Sequence, residues 1–149
     1  MKVKLTSVMG KFNHPNHNGR IYDSKMMEEA IKKFNEGGLK ICELNPGYER
    51  FFEHSVSNAV GNIKDVWVEN GEMVGTVNLL DTPKGKITKE IMGSTEGHKL
   101  KLFPRMTGNV VPIYDEDGNL KHDENNNPIC EITNVDIESI DIIFEGDEL

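Results

Sequence analysis

Residues 59–80 read AVGNIKDVWVENGEMVGTVNLL, two runs rich in β-branched side chains on either side of Asn70-Gly71. Asn and Gly both tolerate positive φ, so this dipeptide favours a tight turn between antiparallel strands. The reading is a β-hairpin, Ala59 to Val68 and Met73 to Leu80. Upstream, Val3, Leu5 and Ser7 alternate with Lys4, Thr6 and Val8, a first strand that ends at Gly10. Downstream, strands are expected near His98 to Phe103, Met106 to Ile113, Ile129 to Thr133 and Val135 to Phe144.

Two helices interrupt this pattern. Asp23 or Ser24 can cap a helix with Met27, Ala30, Ile31 and Phe34 on one face, and Gly37-Gly38 stops it. Thr82-Pro83 offers an N-cap and a proline at the first helical position, which predicts a short helix with Ile87, Ile91 and Met92 buried, ending at Gly93. Six or seven strands and two helices without βαβ alternation argue for a mainly β, α+β fold: an antiparallel sheet or small barrel with helices at its edge. No G-x-G-x-x-G or Walker A sequence points to a nucleotide-binding fold.

The length of 149 residues suits one domain spanning 1–149. Acidic residues outnumber basic ones 25 to 17, for a net charge of −8 and a pI near 5.1. A phosphate backbone would be repelled on average, so nucleic acid is not the expected partner. Apolar runs are too short to span a bilayer, and Met1-Lys2-Val3-Lys4 leads into no signal-peptide core. Cys42 and Cys130 are too few and too isolated for a disulfide framework or zinc site, and both are read as reduced and buried.

Candidate chemistry is sparse. His14 and His17 have an i, i+3 spacing but lie in the Asn-Pro loop Phe12 to Gly19 without acidic or thiol neighbours, so no metal is expected. Asp115-Glu116-Asp117-Gly118-Asn119 departs from a calcium loop at Leu120, where glycine is required, and at Asn126, where glutamate is. The polar segment Tyr114 to Pro128 is expected as an exposed turn or an extended loop, and the chain shows no internal repeat. His54-Ser55 and Ser94 to His98 supply residue types for nucleophilic catalysis but resemble no nucleophile elbow. No cofactor is implied.

Several segments, taken in order, resemble the prohead, or capsid-maturation, proteases of tailed bacteriophages, over roughly residues 10–145. Asn18-Gly19-Arg20-Ile21-Tyr22 looks like the family's N-G-R-[IV]-Y, and Glu43-Leu44 sits where the family has G-E-L-x-H-P. Val60 to Trp67, Glu69-Asn70-Gly71 and Val74 to Val77 are similar to its S-H-x-[IV] strand, turn and returning strand. Leu79-Leu80-Asp81-Thr82-Pro83-Lys84-Gly85 resembles [IL]-L-x-T-P-x-G, and Leu102-Phe103-Pro104-Arg105-Met106-Thr107-Gly108 resembles [IL]-S-S-R-G-x-G.

The resemblance implies a herpesvirus/prohead-protease-like fold and a serine protease ancestry. Carried over by position, the nucleophile falls on Phe103, one histidine on Pro46 (or Asn45 with a shift of one), and the other on Asn62. A phenyl ring has no proton to give, and a proline nitrogen in a peptide bond has no basicity. The expectation is therefore a degenerate, non-enzymatic member of the fold: a virion structural protein, made in the host cytoplasm. It would bind capsid or other virion proteins as a decoration, stabilising or minor head component, with no membrane contact and with self-association left open. Expected contact residues are Tyr48, Phe51, Phe52 and Tyr114. If activity survives, a relocated site would use His54 as base and Ser55, Ser57 or Thr107 as nucleophile; a scaffold or regulator of a separate protease is the other alternative.

Overall fold

The computed structural model describes residues 1–46, 53–93 and 100–144. Among them are seven strands and two α-helices: β1 Lys2–Thr6, β2 Arg20–Tyr22, α1 Ser24–Gly37, β3 Ile41–Glu43, β4 Ala59–Glu69, β5 Glu72–Leu79, α2 Pro83–Met92, β6 Leu100–Pro112 and β7 Cys130–Phe144. A 3-10 turn, Val56–Asn58, leads into β4. The strands form two sheets and no closed barrel. The first is antiparallel with order β1-β5-β4-β3; the second has order β2-β7-β6, with β2 parallel to β7.

The local signals hold where they were strong. Asn70 (φ 52°) and Gly71 (φ 76°) both occupy the left-handed region, and the β4–β5 hairpin closes around them. Asp23 caps α1 through a bond from the Met26 amide (3.1 Å), and Met27, Ala30, Ile31 and Phe34 are buried as the spacing required. Each such burial contributes about 1.5–3 kcal/mol for the larger side chains. Gly38 ends the helix for a steric reason: a Cβ there would lie 2.2 Å from the Phe34 ring. These side chains join one apolar cluster that draws on both sheets, including Val60, Val77, Leu102, Ile140 and Ile142.

Four expectations change. The stretches read as four strands after residue 98 are two long ones, β6 and β7: Pro104 stays in register opposite Ile140, and the irregular pairing between Thr107 and Asn109 absorbs the break at Asn134. Asn134 sits at φ 54°, in that irregular stretch. α2 buries Gly85 and Thr88 instead of an isoleucine stripe, and Ile87 is 47% exposed. Gly85 lets the helix approach the chain so closely that a Cβ would come 2.0 Å from the Leu80 carbonyl, and Ile87, two residues on, is turned about 200° away. Phe12, read as the start of the Asn-Pro loop, is a core residue (3% exposed). Cys42 is buried as expected, but Cys130 is only half-buried.

The segment after β6 holds an eight-residue repeat that its sequence conceals. Asp115 accepts from the amides of Asp117 and Asn119, and Asp123 does the same from Asn125 and Asn127, all at 2.8–3.0 Å. Gly118 (φ 82°) and Asn126 (φ 64°) fill the same left-handed position. The two turns are locked by a ring of backbone bonds: Ile113 N–H to Ile129, Lys121 N–H to Ile113, and Ile129 N–H to Lys121. Of the two readings, an exposed turn or an extended loop, the first holds: two turns make an ordered tip on the β6–β7 arm.

Two outcomes are expected. Burial, followed by the nearby Asp141 charge, pushes the Cys42 thiol up to about 12. In the native protein Ellman's reagent should therefore titrate one fast thiol, Cys130, with Cys42 appearing only on unfolding; two fast thiols would contradict the burial. The Asp123 carboxyl is held below its ordinary value by the amide of Asn127, with lesser help from the Asn127 side chain and the Asn125 amide. Its contribution to the tip is thus fully present above the ordinary aspartate pKa of about 3.9 and is lost only as pH falls through the lowered value. In an NMR titration the Asn125 and Asn127 amide signals should hold steady down to about that pH and shift below it.

Candidate functional site: a buried arginine between two carboxylates

A strand position flanked by apolar residues demands an apolar side chain unless a charge there is fully partnered. β7 carries Asp141 within Ile140-Asp141-Ile142-Ile143, and Asp141 is 0% exposed. Its partner is Arg105 of β6, itself 2% exposed, whose Nε lies 2.5 Å from Asp141 Oδ2. Arg105 Nη2 lies 2.8 Å from Glu43 Oε2 on β3, and Nη1 donates to the Glu53 carbonyl at 2.9 Å. Asp141 also accepts from the Glu43 amide (2.8 Å) and the Ser139 hydroxyl (3.0 Å).

Burial works against the Arg105 charge, but the hydrogen bonds it donates to Asp141 and Glu43, with their negative charge, outweigh it and hold the guanidinium pKa above its ordinary value. Arg105 therefore keeps its charge in the buried site. A bulge helps to build it: β6 pairs Arg105 with Ser139 but Met106 with Ile137, leaving Glu138 as the extra residue of β7.

Glu138 faces His54. The His54 Nε2 atom lies 3.5 Å from Glu138 Oε1, while Nδ1 lies 3.3 Å from Arg105 Nη2 and 3.4 Å from Glu43 Oε2. With the proton on Nε2, Nδ1 accepts from Arg105 and Nε2–H points at Glu138; a doubly protonated ring would also face Glu43. Among the described residues no hydroxyl is a hydrogen-bond partner of this ring. Ser55 Oγ instead meets Ser57 Oγ at 2.7 Å, and Thr107 is exposed on β6 opposite Asp136.

The positions that the resemblance assigned to catalysis fall in two places. Asn45 donates its amide to the Ile142 carbonyl at 2.9 Å, and Phe103 pairs with Asp141, so the two flank the same stretch of β7 from opposite sides. Asn45 adopts φ 47°, a conformation asparagine tolerates better than most side chains. Pro46 is buried beside it. Asn62 lies in the other sheet, on β4 between Ile41 and Asn78. Of the expected contact residues, Tyr114 is 58% exposed on the arm; Tyr48, Phe51, Phe52 and the Ser94 to His98 segment lie outside the described residues. His14 and His17 are exposed, and no group of three or more His, Cys, Asp or Glu among the described residues could hold a metal ion.

Beside the cluster, a groove of about 220 Å³ runs between the segment from Val8 to Tyr22 and β6. Met9, Arg20, Phe103, Met106, Thr107 and Ile132 line it. Phe103, the position to which the resemblance carries the nucleophile, is thus part of the groove lining.

No protein-family model matches the chain, and no curated protein matches it. The fold is of the prohead-protease-like class. A solved structure that shows this is the bacteriophage T4 capsid assembly protease, gp21, with a TM-score of 0.66 and 15% sequence identity, the match covering 95% of this chain and 80% of that one. At that identity the likeness shows a shared architecture.

Removing one member of a buried ion cluster strands the others, at a cost of about 3–5 kcal/mol. Arg105→Leu should therefore lower the urea unfolding free energy by about that amount. Replacing Arg105, Glu43 and Asp141 together with apolar residues should recover most of the loss, and no recovery would show that the cluster does more than satisfy itself.

Proposed function

We propose that this chain is a non-catalytic component of a tailed-phage particle, bound to the capsid as a decoration, stabilising or minor head protein. The observation that carries this reading is Phe103: where the resemblance puts the protease nucleophile, a phenyl ring faces the groove. Asn45 and Pro46 stand where a histidine base is expected, and Asn62 where the second imidazole is. Loss of even one member of such a constellation removes most of the rate acceleration. The phage setting rests on the resemblance together with the architecture shared with a capsid assembly protease.

A surviving activity would run through His54. That ring is the one described histidine set against a buried ion cluster, but its two nitrogens face Arg105, Glu43 and Glu138. A base so placed has no hydroxyl to deprotonate within hydrogen-bond reach among the described residues, which weighs against Ser55, Ser57 and Thr107 as nucleophiles. A fold freed from catalysis most readily serves as a binding module.

The decisive measurement is the copy number of the chain in purified mature particles. A fixed ratio to the shell protein is expected, and absence from particles would overturn the reading. Incubation with capsid and scaffold proteins should give no cleavage; cleavage lost on His54→Ala would restore a peptidase.

A further inference from the structure

The large apolar side chains left exposed among the described residues are not scattered evenly. Four of them, Val110 (55%), Val111 (44%), Tyr114 (58%) and Leu120 (40%), lie on the distal half of the β6–β7 arm. Tyr114 and Leu120 pair across the first turn of the tip, so they form one spot. Around it, residues 113–129 carry five carboxylates, Asp115, Glu116, Asp117, Asp123 and Glu124, against one lysine, Lys121. None of the five carboxylates makes an ion pair among the described residues. The locked turns hold this surface in one shape, so little conformational freedom is left to lose on binding.

Two further exposed apolar side chains, Val56 (89%) on the 3-10 turn and Ile87 (47%) on α2, lie on elements that pack together. Lys84 and Lys86 precede Ile87 on α2 and make no ion pair among the described residues; Glu90 is exposed on the same helix. Arm and patch belong to different parts of the fold: α2 packs on β4 and the 3-10 turn, not on the arm. Arm-to-arm pairing through the free outer edge of β6 is opposed by the like charges of the two tips, and by Pro112, which has no amide to donate.

We infer that the arm of one copy docks its Tyr114–Leu120 spot on the Val56–Ile87 patch of a second copy, its carboxylates facing Lys84 and Lys86. Each copy offers one arm and one patch, so association either closes, in the smallest case as a reciprocal arm-exchanged pair and otherwise as a ring, or continues as an open chain. This inference stands without the capsid reading, since it uses only surface chemistry. Its electrostatic part is screened by salt.

The test is sedimentation velocity over about a hundred-fold range of protein concentration at low and high salt. The wild-type protein should associate, and more weakly at high salt. Val111→Ser with Tyr114→Ser breaks the arm, and K84E with K86E reverses the patch; each pair should weaken self-association at least about tenfold. Mixing the two variants supplies one intact arm and one intact patch, so they should form a heterodimer and nothing larger. That pairing also proves both variants folded. A wild-type chain that stays monomeric throughout, association untouched by either pair of changes, or variants that fail to pair on mixing while each remains folded by circular dichroism would each overturn the inference.

Discussion

A guanidinium buried at Arg105 cannot be neutralised, so everything around it has to be arranged to accept its protons. Glu43 comes from β3, Asp141 from β7 and the Glu53 carbonyl from the segment ahead of β4, so one side chain ties both sheets to a single point. The bulge that frees Glu138, the amide of Glu43 turned onto Asp141 and the His54 ring all follow from that requirement. Its net energy is modest, because a well-packed apolar substitute would hold the sheets about as firmly, whereas removing one member alone strands the others.

On the proposed reading, that arrangement also lets the fold persist without catalysis. Arg105 and Glu43, which tie the strands at their junction, lie in motifs that match the resemblance, whereas Phe103, Asn45, Pro46 and Asn62 stand where the resemblance would put reacting groups. Apart from Asn62, which lies in the other sheet, these positions flank the stretch of β7 that carries Asp141, yet the two sets make separate demands: the ion cluster on charge satisfaction, reacting groups on proton transfer. Substitution at the second set leaves the first intact.

The parts legible in the sequence are those whose cause is local. Asp23, Thr82-Pro83 and Asn70-Gly71 act within three or four residues, and helix α1, helix α2 and the hairpin appeared where those residues put them. β2 and β3 escaped notice because three residues are too few to show a period. Glu43 and Arg105 were visible as motif positions, but their joint role was not, since their partner Asp141 lies 98 residues from Glu43 in the chain. A lone aspartate inside Ile140 to Ile143 was the available signal. The repeat in the arm tip was hidden for another reason: Gly118 and Asn126 match in backbone conformation and not in identity.

The placement of β2 sets an order of events for folding. Sheet one takes all its strands from residues 2–79 and can assemble early, whereas β2 has no partner until Cys130 to Ile132 arrives, and His17 meets Asn127 across 110 residues. Closing so long a loop costs entropy before any contact repays it, which makes non-local pairing slow. The docking of β2 on β7 is therefore the expected late step, whereas Arg105 and Asp141, 36 residues apart on the paired strands β6 and β7, can meet before it.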